Sequence, residues 1–337
     1  MIITLDPTAS AEQIEELLRR FRRVGLSPAH EPGTQRVVVG TNDDELVAAR
    51  LGLRGDPCIR SVATDALACP LVSRARRPEG SVVRIGTAGV GGERFLLVAG
   101  PCAVESLEQM RHSAQAVRRA GAHVLRGGAF KSRTSPYSFP GLGRDGLAIL
   151  RQVGDEIGLP TLTEVVEVAD VGAVAARADA LQVGARNMYN ARLLAALGRC
   201  GRPVVLKRGM AASVEDLLLA AERLALAGNE EIVLCESGIR TFETATRNTL
   251  DLCAVPWLKS RSHLPVLVDP SHGTGRRELV APMARAAAAC GADGIMVEVH
   301  PDPDQALSDG EQALTPAEFE ALVRGLAPVV AAVGRTL

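Results

Sequence analysis

Residues 203–237, PVVLKRGMAASVEDLLLAAERLALAGNEEIVLCES, decide the fold. Residues 204–207 are a short apolar run that closes on Lys207 and Arg208. Residues 215–227 carry leucine and alanine at helical spacing, and residues 231–235 form a second apolar run that closes on Glu236. Strand, helix and strand in so short a stretch make a βαβ unit. The same alternation extends outward in both directions. Strand-like runs occur at 95–99, 123–126, 160–163, 180–183, 264–269 and 294–299, with further helix patterns such as 279–290. Eight such strands with crossover helices predict an α/β protein, a (β/α)8 TIM barrel. A doubly wound open sheet is the alternative. It would place a glycine-rich phosphate loop after the first strand, and Gly100-Pro101-Cys102 does not supply one.

Upstream, residues 1–65 read as a small α+β unit. Residues 1–5 form a strand, and Ser10 with Gln13 makes a capping box ahead of Ile14, Leu17, Leu18 and Phe21 on one helix face. Gly25 ends that helix, residues 36–39 are a strand, Asp43 and Asp44 open a second helix, and residues 57–62 are a further strand. A strand between the first helix and Arg36 is not visible. The order is that of a ferredoxin-like domain. Residues 66–80, with two prolines and no period, read as a linker, and the barrel runs from 81 to 337. A hairpin is expected from residues 81–85 and 94–98 around the glycine-rich turn 88–92.

Composition narrows the function. The formal net charge is −1, from 38 basic and 39 acidic residues, which argues against nucleic-acid and membrane-surface binding. No apolar run reaches the length of a membrane span. MIITLDPTAS lacks a basic region followed by a long apolar core, so a secretory leader is not expected. Seven widely spaced cysteines without a C-x-x-C speak against a disulfide framework or zinc knuckle. A cytoplasmic location is the expectation.

In a barrel the site forms at the C-terminal strand ends. Those positions carry Cys102 and Glu105, then Arg126, Lys131 and Arg133, then Glu164, then Arg186 and Asn187. Lys207 and Arg208 follow, then Glu236 and Arg240, Asp269 and His272, Glu298 and His300, and finally Asp309. So many cations aimed at one pocket call for a substrate with phosphate or carboxylate groups. Cys102, His272, Glu298 and Asp309 are a mixed donor set suited to Mn²⁺, Fe²⁺, Zn²⁺ or Co²⁺. Each also has a plainer reading: Cys102 as packing, His272 as a loop cap, the carboxylates as helix caps and the arginines as surface. The lysines resist that reading. Only three of the basic residues are lysine, and two of these, Lys131 and Lys207, fall at or near strand ends.

Read together, these segments resemble the 3-deoxy-D-arabino-heptulosonate 7-phosphate (DAHP) synthases of the Iβ subgroup. The carrying segments are VAGPCAVES (98–106), LRGGAFKSRTSPYSFPGLG (125–143), TEV (163–165) and QVGARNM (182–188). They continue with LKRGM (206–210), CESGIRTFE (235–243), VDPSHGTGRR (268–277) and VEVHPDPDQALSDG (297–310). The resemblance implies a metal-dependent, aldol-like condensation of phosphoenolpyruvate with erythrose 4-phosphate, the first step towards the aromatic amino acids. It implies Cys102, His272, Glu298 and Asp309 as metal ligands. Arg126, Lys131, Arg186 and Lys207 would contact phosphoenolpyruvate, Arg133 and Thr134 the aldose phosphate, and Glu164 the attacking water. Lys131, Glu164 and His272 are the expected catalytic residues. It further implies a homo-oligomer, dimer or tetramer, and an N-terminal domain able to sense tyrosine or phenylalanine.

Two departures stand out. Ser132 replaces the proline of the family's Lys-Pro-Arg-Thr, and Ser237 replaces the arginine of its Cys-Glu-Arg-Gly. That arginine helps to hold the phosphate of phosphoenolpyruvate. Removing one such charged group costs on the order of 1.5–3 kcal/mol, and Arg240 is the expected substitute. The departures keep open a sibling synthase with another donor or aldose. A non-catalytic regulatory barrel is the third reading.

Overall fold

The computed structural model describes residues 1–30, 33–41, 44–63, 69–132 and 135–337. The chain divides into two compact units, Met1–Pro70 and Leu71–Leu337.

In the first unit the alternation of buried and half-buried residues in β1 (Ile2–Leu5) turns Ile3 and Leu5 inward. The helix α1 (Ala11–Arg23) begins where expected. The Ser10 N–H donates to Gln13 Oε1 at 2.8 Å, and the Gln13 N–H donates to Ser10 Oγ at 3.2 Å. Leu17, Leu18 and Phe21 bury its inner face against Val37 and Val39. The strands β2 (Ala29–His30), β3 (Arg36–Val38) and β4 (Ile59–Ala63), with α2 (Asp44–Arg50), complete an antiparallel sheet of order β2-β3-β1-β4. This is the ferredoxin-like arrangement. The strand that sequence did not reveal is β2, which has two residues and therefore no period to read. Asp43, expected to open α2, lies outside the described residues; the helix starts at Asp44.

The second unit opens with residues 71–80, part of the linker expected over 66–80. They are instead strapped to the barrel. The backbone N–H groups of Leu71 and Val72 donate to the buried Glu222 carboxylate at 3.1 and 3.0 Å, and Ser262 Oγ donates to the Val72 carbonyl at 2.6 Å. The hairpin also differs from expectation. β5 (Val83–Ile85) pairs with β6 (Ala88–Val90), so the turn lies at Gly86 and Thr87 and residues 96–98 belong to the first barrel strand. Its apolar face explains the difference. Val83, Ile85 and Val90 pack into one cluster with Leu96, Val98, Val124, Leu162, Val205, Val233 and Met296 from the barrel strands.

Eight parallel strands then close a barrel: β7 (Leu96–Gly100), β8 (Val124–Arg126), β9 (Thr161–Glu164), β10 (Ala180–Val183), β11 (Val204–Lys207), β12 (Ile232–Glu236), β13 (Val266–Val268) and β14 (Gly294–Glu298). Closure is the pairing of β14 with β7, from Gly294 opposite Leu96 to Glu298 opposite Gly100. The strands are buried on both faces and so read as continuous apolar runs. β8, β9, β11, β12 and β14 each end on a charged residue: Arg126, Glu164, Lys207, Glu236 and Glu298. The open end of the barrel is thereby lined with ionisable groups.

Candidate active site

The four sequence-expected ligands converge. Cys102 Sγ, His272, Glu298 and Asp309 present donor atoms that all lie within 4.8 Å of one another. Four different loops and strands supply them. Cys102 follows β7, His272 lies in the short helix Pro270–Thr274 after β13, Glu298 ends β14, and Asp309 precedes the turn Gly310–Gln312. His272 Nε2 is 3.3 Å from Glu298 Oε1 and 3.8 Å from Asp309 Oδ2, and Cys102 Sγ is 3.2 Å from Asp309 Oδ2. Asp309 sits at φ 54, the one positive-φ residue other than glycine among the described residues. Such strain persists where surrounding structure enforces it, commonly at functional sites.

The donor set fits a divalent cation on two further observations. Glu298 is fully buried, and its Oε1, although within 3.1 Å of Arg126 Nη2 and 3.3 Å of His272 Nε2, makes no hydrogen bond among the described residues. The outer atoms of the ligands, by contrast, are engaged. His272 Nδ1 lies 2.7 Å from Asp269 Oδ2, Glu298 Oε2 accepts from Gln312 Nε2 at 2.6 Å, and Asp309 Oδ1 accepts from Arg247 Nη1 at 3.3 Å. Asp269 behind His272 and Gln312 behind Glu298 are partners of the kind that fix a metal ligand's tautomer and orientation. Burial would raise the Asp309 carboxyl, but the charges of His272 and Arg247 outweigh it and hold the group well below its ordinary range. Burial, and then the charge of Glu298, push the Cys102 thiol up to about 12. A bound cation reverses that preference, because the thiolate is the ligand form.

Above this cluster lies a cleft of about 250 Å³. Arg126, Lys131, Glu164, Arg186, Lys207, His272 and Asp309 line it, so the structure gathers most of the expected residues in one place. Arg133 and Thr134 lie outside the described residues. Lys131 Nζ is 2.9 Å from both the carbonyl oxygen and the Sγ of Cys102. Lys207 Nζ donates to Asp269 Oδ2 at 2.5 Å. Asp269 thus joins the lysine to His272, and its carboxyl is held well below the ordinary range because these cations outweigh its burial. Arg126 Nη2 lies 3.1 Å from Glu298 Oε1, while its Nη1 is buried without a hydrogen-bond partner among the described residues. Glu164 accepts from Gln182 Nε2 at 3.5 Å, and it depends on a glycine opposite: a Cβ at Gly184 would lie 2.1 Å from Glu164 Oε1.

Other strand-end residues do not line the cleft. Arg208 is turned into ion pairs with Glu236 at 2.9 Å and Asp251 at 2.8 Å. Glu105 and His300 face each other at 3.3 Å. Arg240, expected to substitute for the arginine missing at 237, is not among the lining residues; Arg247 is, with Ser237 and Asn248. Sequence reasoning missed Gln182, Arg247, Asn248 and Gln312. Gln182 carried a signal, as the one polar residue in a strand buried throughout. Arg247 and Asn248 lie in an aperiodic loop and carried none.

A parallel barrel with a Cys/His/carboxylate cluster beside a cation-lined cleft at its strand ends is the scaffold of a metal-assisted enzyme for anionic substrates. The comparisons with known proteins specify the class. Residues 79–330 match the DAHP synthetase I family and residues 1–63 the DAHP synthase ferredoxin-like domain, and the chain belongs to this family. It is 45% identical over 334 residues to phospho-2-dehydro-3-deoxyheptonate aldolase of Thermotoga maritima, covering 99% of each chain. The crystal structure of that Thermotoga maritima aldolase, also described as DAHP synthase, aligns with a TM-score of 0.80 at 44% identity, over 99% of this chain and 98% of that one. A 2-dehydro-3-deoxyphosphooctonate aldolase of Caulobacter vibrioides is 34% identical over 77% of this chain and 95% of its own. The ferredoxin-like domain and the barrel expected from sequence are thus both present.

Proposed function

We propose that this chain condenses phosphoenolpyruvate with erythrose 4-phosphate, giving 3-deoxy-D-arabino-heptulosonate 7-phosphate and inorganic phosphate. The observation that carries the reading is the coincidence of the four-donor cluster with a cleft lined by Arg126, Lys131, Arg186 and Lys207. Cys102, His272, Glu298 and Asp309 would hold a divalent ion, of which Mn²⁺, Fe²⁺, Zn²⁺ and Co²⁺ suit the donors. When bound, such an ion supplies a Lewis acid for the aldehyde oxygen.

The protein's own groups do the rest. Arg126, Arg186, Lys131 and Lys207 hold the carboxylate and phosphate of the enol phosphate and ease departure of the phosphate. Arg133 and Thr134 hold the phosphate of the aldose. Attack of C3 of the enol phosphate on the aldehyde carbon moves the C=O pair onto the aldehyde oxygen, which takes up a proton to become the new hydroxyl, and leaves positive charge at C2, where water adds. Glu164 orients that water or takes its proton. Loss of phosphate from C2 then leaves the ketone. The first unit, read as residues 1–65, is proposed as a regulatory domain for an aromatic amino acid. The chain is proposed to work as a dimer or tetramer in the cytoplasm. No helix among the described residues is long and apolar enough to cross a membrane.

A sibling synthase remains as the second reading because Ser237 lines the cleft. A heptonate product requires a four-carbon aldose beside the three carbons of the enol phosphate; an octonate requires five. Steady-state rates with erythrose 4-phosphate and arabinose 5-phosphate separate the two. A higher kcat/KM for the four-carbon sugar is expected, and preference for the five-carbon sugar would overturn the proposed substrate.

A further inference from the structure

Arg247 differs from the buried cations of the cleft. Lys207 and Arg126 are 4% exposed and face fully buried carboxylates. The Arg247 side chain is 39% exposed, and its single ion pair among the described residues is a long one, 3.3 Å to Asp309 Oδ1. A second hydrogen bond runs from Nη1 to Gln312 Oε1 at 2.9 Å. The backbone beneath it is fixed. The Arg247 N–H donates to the Thr274 carbonyl at 3.0 Å, and Gly275, at φ +67, leaves the room: a Cβ there would lie 2.4 Å from Arg247 Cβ. The root of the side chain is therefore anchored at the rim, while its guanidinium is held loosely.

The neighbourhood gives that cation a task. Arg247 and Ser237 line the same cleft, and their chain neighbours touch: a Cβ at Gly238 would lie 2.6 Å from Asn248 Cβ. At this junction Ser237 contributes a short hydroxyl to the cleft. Arg247 also shares Asp309 with the donor cluster, since one carboxylate oxygen faces Cys102 and His272 and the other faces the guanidinium. A cation on Oδ2 draws on the charge that now attracts Arg247 and repels the guanidinium directly. Both effects favour transfer of Arg247 to an anion in the cleft.

We propose that Arg247 is a substrate-phosphate ligand of this cleft, parked on Asp309 and Gln312 in the free chain and released towards phosphoenolpyruvate when the donor cluster is filled. The proposal rests on the substrates named above and adds a binding residue to them.

The test is calorimetric titration of phosphoenolpyruvate into the full chain loaded with Mn²⁺, for the wild type, Arg247→Ala, Arg247→Lys and the double variant Ser237→Arg/Arg247→Ala. Arg247→Ala is expected to weaken phosphoenolpyruvate by roughly tenfold to a hundredfold, the loss of one charged hydrogen-bonding group. Lysine should restore part of this, and the double variant should restore more, because it places a guanidinium on the other side of the junction. Mn²⁺ affinity, titrated separately, should not fall in Arg247→Ala, since a positive charge has been removed from beside the ligands. Unchanged phosphoenolpyruvate affinity in Arg247→Ala overturns the proposal and leaves the proposed substrates standing. A parallel loss of Mn²⁺ affinity overturns it in favour of a role confined to orienting Asp309. A wild-type chain that binds Mn²⁺ but not phosphoenolpyruvate overturns the proposed substrates as well. Should Arg247→Ala not fold, Arg247→Gln carries the same comparison.

Discussion

Asp269→Asn replaces one oxygen by nitrogen and should cost both metal affinity and stability. Asp269 is fully buried, with Oδ2 2.7 Å from His272 Nδ1 and 2.5 Å from Lys207 Nζ, while Oδ1 accepts the His272 N–H at 2.9 Å. The substitution can keep the last of these, which caps the helix Pro270–Thr274. It cannot supply the charge that balances Lys207, itself only 4% exposed. Removing one partner of a buried pair costs about 3–5 kcal/mol. Loss of the acceptor behind a ligating histidine costs roughly 10–100-fold in metal affinity. Chelator-competition titration with Co²⁺ reads the second quantity, and urea unfolding of the metal-free protein reads the first. Native Co²⁺ affinity in a folded Asp269→Asn variant would refute the role given to Asp269.

Three further outcomes follow from the geometry. Glu164→Gln should lower kcat by about 10²–10⁴-fold if Glu164 takes the proton of the attacking water, with phosphoenolpyruvate binding retained in calorimetry; Gly184→Ala, which intrudes on the Glu164 carboxylate, should act in the same direction. Asp293→Ala removes a fully buried carboxylate held by Lys259 at 2.7 Å and Arg335 at 2.6 Å, far from the cleft in role; unfolding should become easier by about 3–5 kcal/mol with Co²⁺ affinity unchanged. Burial, and then Arg94, push the His123 imidazole down to about 4, and its Nδ1 accepts the Leu97 N–H at 2.9 Å as a neutral ring. The unfolded chain binds the extra proton between that value and about 6.5, so this contribution is complete above about pH 6.5 and is lost as pH falls towards 4. His123→Gln should flatten that limb in urea unfolding between pH 4 and 7.5.

The barrel was legible because its strands are buried on both faces and end abruptly in charge, as at Lys207 and Glu298. Cys102, His272 and Glu298 could be picked out for the same reason, standing at or within a few residues of a strand end, whereas Asp309 lies in the loop beyond β14 and is singled out with them through the resemblance. What failed to show was structure made by pairing rather than by period. β2 has two residues, and the hairpin of β5 and β6 was misplaced because its glycine-rich exit resembles a turn. The strap at residues 71–80 owes its place to Glu222, Ser262 and His263, far along the chain. Ser237 drew attention to this corner of the cleft, and Arg240 was the expected substitute; that Arg247 lines the cleft and Arg240 does not depends on a loop crossing that no local pattern encodes. The Arg240 N–H is drawn to the Met210 carbonyl at 2.8 Å, whereas the backbone of Arg247 is set against Thr274 and Gly275.

The most direct test of the central claim is phosphate release from phosphoenolpyruvate by metal-free protein, with and without Mn²⁺ and with and without erythrose 4-phosphate. The account predicts release only when both the ion and the aldose phosphate are present, and its loss in a Cys102→Ala variant. Release that needs neither, or none at all from protein that has bound Mn²⁺, would contradict it.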